Sequence, residues 1–237
     1  MSDSPRDGTR GRADLHIHTV ASDGTAGVAE ILEHVERATD LDVIAITDHE
    51  RIDAAVAAQR IALARGMTTQ IVVGEEVTTR NGHLIGLFMT ERIKPWGSMK
   101  DAVARIHDQG GIVSVPHPFS RNRLYHLKTG ALERVWQSID CIEVFNAREA
   151  LMSDNRRAAA FAKERGIAGA VGSDAHRPSE IGRAWIEVDE FAGRDDFVAA
   201  LRGGTVHGRL TGQAIHLATR YDVFRKWLTR RTTGKSA

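Results

Sequence analysis

Short apolar runs rich in valine and isoleucine alternate along this chain with longer stretches whose apolar residues recur at helical spacing. The runs 13–19 (ADLHIHT), 42–47 (DVIAIT), 70–76 (QIVVGEE), 83–88 (HLIGLF), 111–118 (GIVSVPHP), 141–146 (CIEVFN), 167–173 (IAGAVGS) and 184–188 (AWIEV) predict buried strands. Helices are predicted over 28–38, where Val28, Ile31, Leu32 and Val35 share one face, and over an alanine-rich stretch from Ile52 to Arg65. A third begins after Ser98, with Asp101 completing a capping pattern, and stops at Gly110-Gly111. Further helices are predicted over 153–166, 195–202 and, amphipathic, 214–229. The third and fourth strands are joined by TTRNG, whose Asn81-Gly82 pair marks a hairpin turn.

Buried strands separated mostly by helices specify an α/β protein with a largely parallel sheet. Unusual polar residues stand repeatedly at the carboxyl ends of those strands: His16 and His18, Asp48 and His49, Glu76, His117, Asn146, then Asp174 and His176. Barrel enzymes build their sites on that face, whereas an open doubly wound sheet binds at one switch point. Contributions from nearly every strand favour a closed or nearly closed barrel.

Composition narrows the class. The chain has 237 residues, 42% hydrophobic and 27% charged, which excludes collagen-like, disordered and membrane-spanning classes for its bulk. No apolar run approaches the ~18 residues of a membrane helix, and the polar start MSDSPRDGTRGR carries no secretory pattern. With Cys141 alone, no intramolecular disulfide can form, and a cytoplasmic protein is expected. Residues 1–12 are expected to be a disordered lead, and 13–237 one domain. The net charge is +1, but residues 220–237 hold six basic side chains against Asp222 alone. The remaining body is therefore slightly acidic, a poor general surface for nucleic acid.

The 11 histidines carry the chemistry. His16 and His18 lie two apart on a strand and point to the same side, so their imidazoles converge as metal ligands do. Asp23 follows in the next loop. Asp48-His49 ends the second strand, and Glu75-Glu76 the third, where alternation lets only one of the two acids face inward. His83 opens the fourth strand, His117 stands between two prolines, and Asp174 and His176 again lie two apart. That set exceeds the needs of one zinc and suggests two or three ions bridged by a carboxylate. The lack of cysteine among the donors points to Mn, Fe or Zn. Asp14 and Asp48 are candidates for fixing histidine tautomers from behind, or for ligands themselves. Cys141, Trp96, Trp136, Trp185 and Trp227 read mainly as core residues, His34 and His107 as surface residues.

DLHIHTVASDGT, AITDHE, GEEV with HLIGLF, PHPF and GSDAH, in that order, resemble the motifs of the PHP (polymerase and histidinol phosphatase) family over about residues 14–177. The resemblance implies a distorted seven-stranded (β/α)7 barrel of the PHP type with up to three metal ions, acting on phosphate esters. By position it implies metal ligation by His16, His18, Asp23, His49, Glu76, His83, His117, Asp174 and His176. The implied grouping is His16, His18, Glu76 and Asp174 on one ion, Glu76, His83 and His117 on a second, and Asp23, His49 and His176 on a third. Only 33 residues separate His83 from His117, too few for the extra subdomain of some family phosphoesterases.

The expected activity is hydrolysis of a small phosphorylated metabolite or nucleotide, monoester or diester, by a metal-bridging hydroxide. The expected partner is thus a small phosphorylated substrate, with no role for a membrane. Arg148, Arg177 and Arg121 are candidates for gripping phosphate, and His207 for a catalytic role. Two other readings stand beside this one: a metal-dependent amidohydrolase or lactonase, and a non-catalytic accessory PHP module.

Overall fold

The computed structural model describes residues 10–121, 123, 125–128 and 130–212. Its first half runs β1 (Arg10–Ile17), α1 (Val28–Ala38), β2 (Val43–Ile46), α2 (Asp53–Arg65), β3 (Gln70–Thr79), β4 (Gly82–Leu87), α3 (Met99–Asp108) and β5 (Ile112–Val115). The second half runs α4 (Ala131–Val135), β6 (Cys141–Asn146), α5 (Met152–Arg165), β7 (Ala168–Gly172), β8 (Ala184–Asp189), α6 (Arg194–Gly203) and β9 (Thr205–Gly208). The predicted helix over 214–229 lies outside the described residues.

One sheet contains all nine strands in the order β7-β6-β5-β4-β3-β2-β1-β8-β9. It curls until the residues after β7 reach β1, where His18 N donates to Ala175 O at 2.8 Å and Ala175 N to His16 O at 3.2 Å. Seven strands thereby form a ring closed at its carboxyl end. At its amino end the seam is taken by β8, which pairs antiparallel with Arg10–Ala13. That is the distortion of the barrel. It also corrects the expected boundary of the leading segment: residues 10–12 belong to β1, held by β8 and by an Arg10–Asp189 ion pair of 2.8 Å.

The sheet is mixed rather than largely parallel. The β3–β4 hairpin reverses the chain, so β4 runs against both β3 and β5. Thr79 pairs with Gly82, which makes Arg80-Asn81 the turn and leaves Gly82 to close it. This reversal matters for the site, because it returns His83 to the carboxyl end of β3.

Strand and helix faces pack as the apolar pattern requires. All four residues of β2, Val43, Ile44, Ala45 and Ile46, are buried between the ring interior and the helices. Ile31, Leu32 and Val35 of α1 turn inward, and α2 buries only alanines, Ala54, Ala55, Ala58 and Ala62, which lets it lie close on β3. Ser98 caps α3 by accepting from Asp101 N at 3.0 Å. Gly166 ends α5 in the left-handed conformation, at φ 64°, that favours glycine. Cys141 is fully buried, and burial pushes its thiol up to about 12. Trp96 departs from expectation: it is 61% exposed. No helix among the described residues is long and apolar enough to cross a membrane.

Candidate metal centre

Glu76, on β3, sits at the middle of the carboxyl end. Its Oε2 lies 3.1 Å from His16 Nε2, 3.3 Å from His18 Nε2 and 3.7 Å from His49 Nε2. Its Oε1 lies 2.8 Å from His83 Nδ1 and 3.1 Å from His117 Nε2. One buried carboxylate therefore meets imidazoles from the ends of β1, β2, β4 and β5. Alternation along β3 turns its neighbour Glu75 the other way, to accept from Ile93 N at 2.8 Å.

A second carboxylate, Asp174, follows β7. Its Oδ1 makes no hydrogen bond yet lies 3.7 Å from His16 Nε2 and 3.5 Å from His18 Nε2 and His176 Nδ1. Asp23, at the rim, reaches His176 Nε2 at 3.0 Å, His18 Nδ1 at 3.5 Å and His49 Nε2 at 3.8 Å. All nine residues expected to bind metal are thus brought into one cluster. Donor atoms within 4.8 Å of one another fall into four overlapping groups: His16, His18, Asp174; His16, Glu76, His117; His18, Asp23, His49; and His49, Glu76, His83. This partition differs from the expected one, since His83 falls with His49 and His117 with His16.

The donor set fits divalent cations. His16 Nε2 and His18 Nε2 face each other at 3.0 Å, an arrangement that suits two lone pairs aimed at a shared cation. Burial works against charge on these rings, but Asp174, Glu143 and Glu76 outweigh it at His16, which is raised well above its ordinary value. At His18, Asp23, Asp174 and Glu76 do the same and raise it to about 10. Glu76 is pushed up by burial but held well below the usual carboxylate range by His49, His83 and His16. The pocket demands positive charge. Two of its residues are also held in the left-handed region, His117 at φ 31° and Asp174 at φ 54°, strain of the kind stored at functional sites.

Behind the donors stand residues that aim them. Glu143 of β6 accepts from His16 Nδ1 at 3.0 Å, from His117 N at 2.6 Å and from Asn146 Nδ2 at 2.8 Å. Asn146 Nδ2 also donates to Asp174 Oδ2 at 3.1 Å, and Arg123 pairs with that same oxygen. Neither Glu143 nor Arg123 was expected from motif spacing. The signal for Glu143 was an acid inside the otherwise apolar run CIEVFN; Arg123 has none. Arg123 also acts on His117, which burial first and this guanidinium second lower to about 4.

Several expectations are corrected. Asp14 holds backbone, not an imidazole: it accepts from Ser173 N at 2.8 Å and Gly182 N at 2.9 Å, and burial raises it to about 6. Asp48 pins the loop that carries Asp23, accepting from Thr19 N and Thr19 Oγ1 at 2.8 Å and from Ser22 Oγ at 2.5 Å. Arg148 is buried against buried Glu180 at 3.0 Å, and Glu180 accepts from His176 N at 2.7 Å, so the pair positions His176 rather than a phosphate. Arg121 is bound by Asp154 at 2.7 Å and Ser153 at 2.9 Å. His207 lies on β9, stacked on Trp185 with ring centres 5.2 Å apart and 3.3 Å from Glu187, away from the cluster. Arg177 directly follows His176 and is half-buried.

The PHP-associated family model matches residues 152–206, from α5 to β9. An uncharacterized protein of Methanocaldococcus jannaschii is 32% identical over 182 residues, 76% of this chain and 71% of its own. The chain belongs to the PHP family. Among solved structures, a two-domain protein from Bacteroides vulgatus, containing a predicted PHP-like metal-dependent phosphoesterase, superposes with a TM-score of 0.69 at 19% identity. That match covers 85% of this chain but 65% of the other, so the PHP fold here spans less than two thirds of that protein. An amidohydrolase from Chromobacterium violaceum with bound sulfate and no metal superposes with a TM-score of 0.56 at 20% identity, over 72% of this chain and 89% of that one. At such identities these likenesses establish the barrel and leave the reaction to the site.

Proposed function

We propose that this PHP protein is a metal-dependent phosphoric ester hydrolase acting on a small phosphorylated metabolite or nucleotide. The observation that carries the reading is the meeting of five imidazoles on Glu76 at 2.8–3.7 Å, with Asp174 and Asp23 on either side. Those donors would hold two or three divalent ions, and their nitrogen and oxygen chemistry suits Mn, Fe or Zn. Bound there, such ions supply a water of lowered pKa and charge to offset that on phosphoryl oxygens.

The chain's own part is preorganisation. Glu143 sets the tautomer of His16 by accepting at Nδ1, which leaves Nε2 for the cluster. Asn146 and Arg123 occupy one oxygen of Asp174 and leave the other facing three imidazoles. His176 Nδ1 donates to Asp174 O at 2.9 Å, presenting Nε2 to Asp23. Arg177 is the remaining candidate of the original three for gripping phosphate, while Arg123 is committed to holding Asp174.

Amide or lactone hydrolysis on a carboxylated lysine lacks its residue among the described residues, since none of their nine strands carries a lysine. A complete donor set counts against a non-catalytic module. The test is turnover of p-nitrophenyl phosphate, bis-p-nitrophenyl phosphate and an activated amide, each with and without Mn²⁺. Metal-dependent release from a phosphate ester supports the reading. Cleavage of the amide alone, or no metal-dependent turnover at all, overturns it.

A further inference from the structure

The segment after β4 climbs back along β3 toward the metal centre. Met89 N donates to Val73 O at 2.9 Å, Ile93 N to Glu75 Oε2 at 2.8 Å and Trp96 N to Thr78 O at 2.7 Å, and Arg80 N closes on Gly97 O at 3.0 Å. Thr78 is the register partner of His83. Trp96 is thereby fastened to the strand position directly opposite a residue of the donor cluster.

The state of Trp96 there is costly. Its backbone is left-handed, at φ 64°, which a bulky side chain disfavours, and its side chain leaves much of a large aromatic surface in water. Folding alone gives no reason for either. Among the described residues its ring contact is Tyr125, edge-on with centres 5.7 Å apart. Tyr125, whose hydroxyl donates to Thr79 O, lies in turn 5.2 Å from the His83 ring. An unbroken path of aromatic rings thus leads from the exposed indole to the imidazole that meets Glu76. Val20, two residues beyond His18 in the chain, is a further exposed apolar residue, at 42%.

We propose that Trp96 and Tyr125 form a stacking platform at the mouth of the metal centre that binds a planar heteroaromatic part of the substrate, a nucleobase being the fitting type. The proposal rests on the phosphoesterase reading, because the platform would hold what the scissile phosphate is attached to. Stacking on an aromatic side chain is tolerant of base identity, so a preference for bases over sugars is expected without strong choice among bases.

The experiment compares adenosine 5′-monophosphate with ribose 5-phosphate, which share phosphate and sugar and differ by the base. In the metal-loaded wild type, kcat/KM for the nucleotide should exceed that for the sugar phosphate by about 5- to 150-fold, the usual worth of one stacked base. Trp96→Ala should bring that ratio close to one, and Trp96→Phe should restore much of it. A W96A ratio equal to the wild-type ratio, or a wild-type ratio near one, overturns the platform while leaving the hydrolase intact. If neither ester is turned over with any metal, the hydrolase reading is decided by the nitrophenyl ester panel and tryptophan emission decides the platform by itself. Quenching by the nucleotide but not by the sugar phosphate, absent in W96F, supports it; no quenching overturns it.

Discussion

Replacing Glu143 with glutamine keeps the side chain's size and removes a single property, acceptance at both ends. Three donors face the carboxylate: His16 Nδ1 at 3.0 Å on Oε1, and His117 N at 2.6 Å with Asn146 Nδ2 at 2.8 Å on Oε2. An amide can satisfy one side only. Turning its oxygen to the pair on Oε2 places its NH₂ against His16 Nδ1, which must then give up its proton and accept. The proton moves to His16 Nε2, the atom 3.0 Å from His18 Nε2 and 3.1 Å from Glu76. A ligand with its lone pair turned away is lost to the cluster. Loss of such a supporting partner costs about 10- to 100-fold in metal affinity, or roughly 1.4–2.7 kcal/mol. Calorimetric titration of Mn²⁺ into metal-free E143Q should show that drop, with thermal unfolding near that of the wild type. Nitrogen-15 shifts of the His16 ring should report the exchanged tautomer. Unaltered affinity, with the proton still on Nδ1, would falsify the role given to Glu143.

Three further outcomes are expected. His117→Ala should keep the barrel, by circular dichroism and gel filtration, while holding fewer metal equivalents by elemental analysis; unchanged metal content would remove His117 from the centre. A Cβ at Gly172 would lie 2.3 Å from His16 Cβ and 2.6 Å from Glu143 Oε1, so Gly172→Ala must displace one of them. It should cost about 1–3 kcal/mol in denaturant unfolding and weaken metal binding as well. Burial pushes Glu75 up to about 7, against about 4.5 in an unfolded chain. Between those values the native state holds a proton that the unfolded state has released, so this group makes stability fall as pH rises through the window. Glu75→Gln should therefore match the wild type at pH 4.5 and exceed it above pH 7, by up to about 3 kcal/mol. Parallel unfolding curves at the two pH values would contradict the assignment.

The side of a strand on which a residue falls is a local property, and the sequence revealed it well. Two-residue alternation brought His16 and His18 together and let only one of Glu75 and Glu76 face inward, the family resemblance pointing to Glu76, and the barrel followed from polar strand ends distributed around the sheet. Partners distant in the chain were not legible. Arg148 belongs to Glu180, 32 residues on, and Asp14 to Ser173 and Gly182, across the seam where the barrel closes. Spacing could say that Asp14 and Asp48 lie behind the histidines but not that backbone amides would claim them. The early start of β1 was hidden for the same reason, since its first residues are ordered by β8 rather than by an apolar pattern of their own. Trp96 was misplaced because a tryptophan's burial is decided by the turn that carries it, and the left-handed turn at Trp96 left no mark that spacing reads.

The central claim is that nine side chains scattered from His16 to His176 share several cations in one pocket. Elemental analysis after anaerobic reconstitution with Mn²⁺, Fe²⁺ or Zn²⁺ and exhaustive dialysis tests it most directly. The account predicts at least two retained equivalents per chain, falling sharply in Glu76→Ala. Retention of less than one equivalent with every metal, by protein that is folded, would contradict it.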